Sequence, residues 1–143
     1  AEKHPQESAA LREVLGNADI RDADGPQMAL SVTPPEPRRG LLLIDPSYEV
    51  KEDYARIPRE IANLHRKWNV GIIALWYPIL TSDAHKPMIA ALKSQNLPNA
   101  MVHEVRFPPV REGHRMIGSG MYIANAPWGT EEATRQIDKL FKR

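Results

Sequence analysis

The sequence predicts an α/β domain built on a mostly parallel sheet. Two continuous apolar runs, Gly40-Leu41-Leu42-Leu43-Ile44 and Val70 to Tyr77 (VGIIALWY), lack the alternation of a half-solvated strand. Such runs read as strands buried on both faces. Helical stripes lie between and after them, and that alternation is the order of a sheet with crossover helices. At 143 residues the chain fits one domain, residues 1–143, whose single core can bury most of its apolar surface.

The elements follow in order. Residues 6–16 place Ala10, Leu11, Val14 and Leu15 at helical spacing, and Gly16-Asn17 is a helix stop. Residues 18–23 read as a short strand ended by Asp24-Gly25, and the proline-rich stretch 33–39 as a loop. The run 40–44 is a buried strand that Asp45-Pro46 ends, because proline cannot donate to a ladder. A helix is expected over 52–67, with Ile57, Ile61 and Leu64 on one stripe that Trp68 continues. Pro58 there is tolerated only in a first turn or at a kink. A strand over 70–77 and a helix over 83–95 come next. Residues 100–107 alternate as a strand with one polar face, 108–118 form a basic, glycine-containing loop, 119–125 a strand and 130–141 a terminal helix. There is no internal repeat.

Composition bounds the chemistry. An apolar fraction of 42% with 26% charged residues describes a globular domain. The net charge of +1 neither favours nor excludes a nucleic-acid partner. The absence of cysteine removes disulfides, thiolate metal sites and cysteine nucleophiles. No apolar run approaches the ~20 residues of a membrane span, no signal-peptide pattern opens the chain, and no membrane partner is expected. The chain begins at Ala1 without an initiator methionine, and is expected to be a fragment or a processed product.

In open α/β sheets ligands bind beyond the carboxyl ends of the strands. Functional residues are therefore expected at Asp45, around Pro78 and around Asn125. Asp45-Pro46-Ser47-Tyr48 offers a specific chemistry. The N6 amine of adenine is a poor nucleophile because its lone pair is delocalised into the ring. A carboxylate oxygen of Asp45 and the carbonyl of Pro46 can accept its two hydrogens in a stiff, preorganised turn. Tyr48 can stack on an extruded base, and transfer then depends on proximity and alignment. The alternative reading is an ordinary Asp-Pro turn with a core or lid tyrosine.

Other candidates carry less. His103, Glu104 and His114 lack metal-ligand spacing, and His4, His65 and His85 are scattered, so no metal is expected. Ser119, His114 and Asp138 are the residue types of a hydrolase triad, but Gly118-Ser119-Gly120 is not a nucleophile elbow. No phosphate-binding P-loop is present. Arg106, Arg111, His114 and Arg115 can contact phosphates or form a solvated face. Trp76, Tyr77 and Trp128 can line a base pocket or pack in the core.

The stretch Arg38 to Tyr54 (RRGLLLIDPSYEVKEDY) resembles the bacterial RlmJ-type family of 23S rRNA adenine-N6 methyltransferases, a family also linked with catabolism of external DNA. Ala74-Leu75-Trp76-Tyr77-Pro78, Ser119-Gly120-Met121, Asn125-Ala126-Pro127-Trp128 and the opening Glu2-Lys3-His4-Pro5 extend the resemblance over nearly the whole chain. The resemblance implies a Rossmann-like class I S-adenosylmethionine-dependent methyltransferase fold, here its C-terminal part with the first strand missing. It implies S-adenosylmethionine as cofactor, 23S rRNA in a protein-free or early-assembly state as partner, and a cytoplasmic setting. By the same resemblance Asp45 is catalytic and lies beside the cofactor, while Pro46 and Tyr48 complete the target-base site. Glu2 ends a strand and holds the cofactor ribose, and Asp24 and Gly25 approach its adenine. The chain departs from the family at Ser47, where a second proline is usual, at Ala126 in the later Asn-Pro-Pro-Trp element, and in lacking the N-terminal half. A non-catalytic nucleic-acid-binding domain or truncated remnant, and a DNA adenine-N6 methyltransferase, are the alternative functions. Oligomeric state is left open.

Overall fold

The computed structural model describes residues 1–48, 51–108 and 111–141. Its elements are α1 (Pro5–Val14), α2 (Gly25–Val32), β1 (Leu41–Ile44), α3 (Lys51–Lys67), β2 (Ile72–Leu80), α4 (His85–Ser94), β3 (Met101–Arg106), β4 (Met116–Ala124) and α5 (Thr130–Phe141). The four strands form one sheet in the order β1-β2-β4-β3. β1 and β2 are parallel, and β4 is antiparallel to both β2 and β3. The expected parallel sheet is thus interrupted by one reversed strand. Only nine residues separate β3 from β4, too few for a helical crossover, and only antiparallel neighbours can be joined that way.

Strand alternation sorts the residues onto two faces. Leu42 and Ile44 of β1, Ile73, Leu75, Tyr77 and Ile79 of β2, and Tyr122 and Ala124 of β4 share one face. Against it pack Ile57, Ile61 and Leu64 of α3 and Met88, Ile89 and Leu92 of α4. The predicted α3 stripe is therefore the core stripe. Pro58 lies inside α3 and is buried. Its carbonyl accepts a 2.7 Å hydrogen bond from the Gln95 side chain just after α4. Gly120 leaves room on β4 for the Tyr77 ring, since a Cβ there would sit 2.2 Å from it. This close approach accounts for the Gly-Ser-Gly sequence without a nucleophile.

The second face is covered unevenly. His103 of β3 points there and bonds Asp138 of α5 at 2.9 Å, and Phe107 meets Phe141 with ring centroids 6.2 Å apart. α5 therefore lies along β3. Leu41 and Leu43 of β1 are 63% and 59% exposed, which corrects the expectation of a strand buried on both faces. β1 is an edge strand, and among the described residues α5 does not reach across the sheet to cover it.

Three further expectations change. Residues 18–23 form no strand, and only a parallel bridge between Glu2 and Asp22 remains there, with Glu2 N donating to Arg21 O at 3.0 Å. Asp24-Gly25 opens a helix that the sequence reading missed. Asp24 accepts from Gln27 N at 3.2 Å as its N-cap, and Pro26 sits in its first turn, a recognisable start signal. β2 runs on through Pro78 to Leu80. β1 ends opposite Leu75, so beyond that point one side of β2 has no ladder to complete and tolerates a proline.

Candidate active site

β1, β2 and β3 run in the same direction, because β2 and β3 are both antiparallel to β4. Asp45, Thr81 and Phe107 therefore leave the sheet on one rim. Asp45 follows β1 directly and is exposed, while Pro46 and Tyr48 are half-buried. Tyr48 adopts a positive φ of 56°, the left-handed region that turns the chain sharply. Its hydroxyl donates to the Trp76 carbonyl at 2.6 Å, and its ring lies 4.9 Å from that of Tyr54 and 6.2 Å from that of Trp76. Burial, with the charges of Asp45 and Asp53 nearby, raises the Tyr48 phenol far above its usual range, so it remains a donor. The turn is thus pinned to β2, and Asp45 stands at its solvent side.

Glu2 and Asp24 form a second group. Glu2 is half-buried, and its Oε1 accepts from His4 N at 2.7 Å at the start of α1. Its bridge partner Asp22 accepts from Ser8 and pairs with Arg12 at 3.0 Å. Asp24 follows two residues later, and Gly25 has nothing within 4 Å of its would-be Cβ. Arg56 of α3 lies within the field of Asp24. It pairs with Asp53 at 2.9 Å and with Glu60 at 3.1 Å. Burial opposes the Arg56 charge, but Asp53, Glu60 and the field of Asp24 outweigh it and raise its pKa.

The structure separates other candidates from this rim. Because β4 is reversed, Asn125 lies at the opposite rim, where its amide donates to Asn69 O at 2.9 Å and Gly71 O at 2.8 Å. It is a structural clasp between β4 and the start of β2. Trp128 is also at that rim and is fully exposed, beside an open cavity of about 520 Å³ lined in part by Asn99, Thr130 and Arg135. No residue of the Asp45 turn borders this cavity. Tyr77 is core, and its hydroxyl donates to Glu104 at 2.9 Å. Trp76 donates to Ser119 Oγ at 2.8 Å. Among the described residues no three His, Asp or Glu side chains gather in a metal-binding group, and no helix is long and apolar enough to cross a membrane.

The sequence reading missed a cluster on the Asp45 rim. His85, at the start of α4, is buried, stacks on Tyr77 with centroids 5.7 Å apart, and lies 3.7 Å from Glu104. Burial lowers its pKa more than Glu104 and Asp83 raise it. Only the register of β2 against β4 and β3 brings Tyr77 and Glu104 together, so no local signal could have found the cluster.

Over residues 1–143 the chain matches the family described as ribosomal RNA large subunit methyltransferase D, RlmJ. It is 34% identical over 139 residues to ribosomal RNA large subunit methyltransferase J of Escherichia coli (strain K12), covering 95% of this chain and 50% of that protein. The protein of the same name from Haemophilus influenzae is 30% identical over 139 residues, again covering 95% of this chain and 50% of the relative. The chain spans about half the length of these curated relatives. A crystal structure of protein LPL1258 from Legionella pneumophila superposes with a TM-score of 0.80 at 26% identity, covering 97% of this chain and 52% of that one.

Proposed function

The chain belongs to the RlmJ family of ribosomal RNA large subunit methyltransferases, and from that premise we propose that its Asp45 turn holds the N6 amine of an adenine in 23S rRNA for methylation. The observation that carries this reading is the placement of Asp45, exposed directly beyond the carboxyl end of β1, in a turn fixed by the Tyr48–Trp76 hydrogen bond. Strand ends in α/β sheets are where ligands are held.

The residues present fit S-adenosylmethionine. Glu2 uses Oε1 for His4 N, and its other carboxylate oxygen suits a ribose hydroxyl. The open space at Gly25 admits a flat ring, and the Asp24 carboxylate beside it suits an exocyclic amine. When bound, the cofactor supplies an electrophilic methyl group on sulfonium. Asp45 and the Pro46 carbonyl accept hydrogen bonds from the target amine and fix the nitrogen in line with that methyl. Tyr48, anchored by its hydroxyl, offers its ring as the surface on which the extruded adenine rests. The chemistry required of the protein is preorganisation, because these acceptors need little rearrangement during transfer. On this reading the protein works in the cytoplasm on free or newly assembling rRNA.

Asp45→Ala, assayed at the full length of the gene product, is expected to lower methyl transfer to 23S rRNA by about 10²–10³-fold or more while RNA binding survives. Unchanged turnover would sink the assignment. An RNA and a DNA oligomer of the same sequence, run side by side, decide the nucleic acid.

A further inference from the structure

The rim that carries Asp45 also carries a second feature, at its other end. Between α4 and the end of β3 lies a cavity of about 280 Å³ lined by His85, Lys86, Lys93, Glu104 and Arg106 over an Ile89 floor. Two independent observations give it an anion-seeking character. Lys86 and Lys93, seven residues apart on one helical face, converge with Arg106 from β3. His85 is 2% exposed, and its Nδ1 is buried without a hydrogen-bond partner, which is costly unless a ligand completes it.

The one carboxylate in the cavity is already engaged. Glu104 Oε1 takes the Tyr77 hydroxyl at 2.9 Å. Its Oε2 is 3.8 Å from Arg106 Nη2, too far for a hydrogen bond, so the guanidinium keeps its donors. Lys86 is held by Asp83 at 2.7 Å, which leaves Lys93 and Arg106 as the principal cations.

We infer that this cavity is a phosphate subsite that receives a backbone phosphate of the RNA strand flanking the target adenine. The inference rests on the methyltransferase reading of the Asp45 turn for its choice of RNA. The strand order β1-β2-β4-β3 puts β1 and β3 three steps apart, about 14 Å at the usual strand spacing. That span is a few nucleotides of a single strand. The loop returning to β4 crosses the same rim, with Arg115 O accepting from Thr81 N at 2.9 Å, and it brings Arg111 and Arg115 to the path. With a net charge of only +1, attraction for RNA has to come from such a local concentration of cations rather than from the whole molecule.

The test is a titration of single-stranded, adenine-containing RNA, followed by fluorescence anisotropy at several salt concentrations. Removing both principal cations in the Lys93→Ala/Arg106→Ser double variant is expected to weaken binding at least tenfold near 0.15 M salt. The slope of log K against log salt should become shallower by about 0.7, the value of one lost phosphate contact on a single strand. Arg106→Lys should restore part of the slope. Arg135→Ala, which removes one positive charge at the opposite rim, should leave it unaltered. In parallel, RNA should move the His85 ring ¹⁵N resonances. Double-variant affinity and slope within twofold of the parent would overturn the inference. So would inorganic phosphate moving His85 while RNA does not, because the cavity would then take only a free anion. Methyl transfer is not read in any arm, so failure of the Asp45 assignment is seen separately.

Discussion

At the residue scale, burial decides what each polar group does. Tyr48 and Tyr77 have burial as the largest cause of their raised pKa, and both act as hydroxyl donors, one to a backbone carbonyl and one to a carboxylate. His85 shows the same rule for a base. Burial depresses its pKa against the opposing pull of Glu104 and Asp83, with Arg106 and Lys86 adding to the depression. A base with a folded-state pKa below its unfolded one, about 6.5, favours the neutral form in the fold. The stability this confers is complete above that value and is lost as pH falls through the window below it. In phosphate-free buffer, the urea midpoint is expected to fall between pH 7.5 and 5.5. His85→Phe, which keeps an aromatic ring beside Tyr77, should flatten that fall. An identical pH profile for the two proteins would show that His85 does not carry the dependence.

At the element scale, the strongest determinant is the period of the apolar pattern. α3 was legible because its stripe repeats over many residues, and the described span of α5 matches the expected 130–141. α2 was not, because eight residues starting Gly25-Pro26 carry too few turns for a stripe to register. Its only clue is the cap. Asp24 therefore has two readings, cap and cofactor ligand, and they separate experimentally. Asp24→Ala is expected to cost about 1 kcal/mol of stability. Asp24→Asn keeps a good cap and should retain it. If Asn also retains S-adenosylmethionine affinity, measured calorimetrically, Asp24 is a cap alone.

At the scale of the whole molecule, the sheet is finished on one face and open on part of the other. Leu41 and Leu43 project from an edge strand with most of their surface in solvent, and an apolar edge of this kind is a template for association. The 143-residue chain by itself is expected to self-associate with concentration in sedimentation velocity. Leu41→Lys/Leu43→Lys should shift it toward monomer, since neither side chain belongs to the core cluster. A monomer at all concentrations would show the open face to be harmless.

The sequence by itself determined most of the longer elements, the α3 core stripe and the Asp45 turn, because each is written in neighbouring residues: a helical period, a run of apolar side chains, a proline after a strand. Only the tertiary structure decided strand direction and edge position, which depend on pairing between residues far apart in the chain. That pairing reversed β4, moved Asn125 and Trp128 to the rim away from Asp45, and left β1 half-exposed. It also drew His85, Glu104 and Arg106 into one cavity. Local chemistry specifies what a segment can be, and the sheet register, set by long-range burial, specifies which of those segments meet.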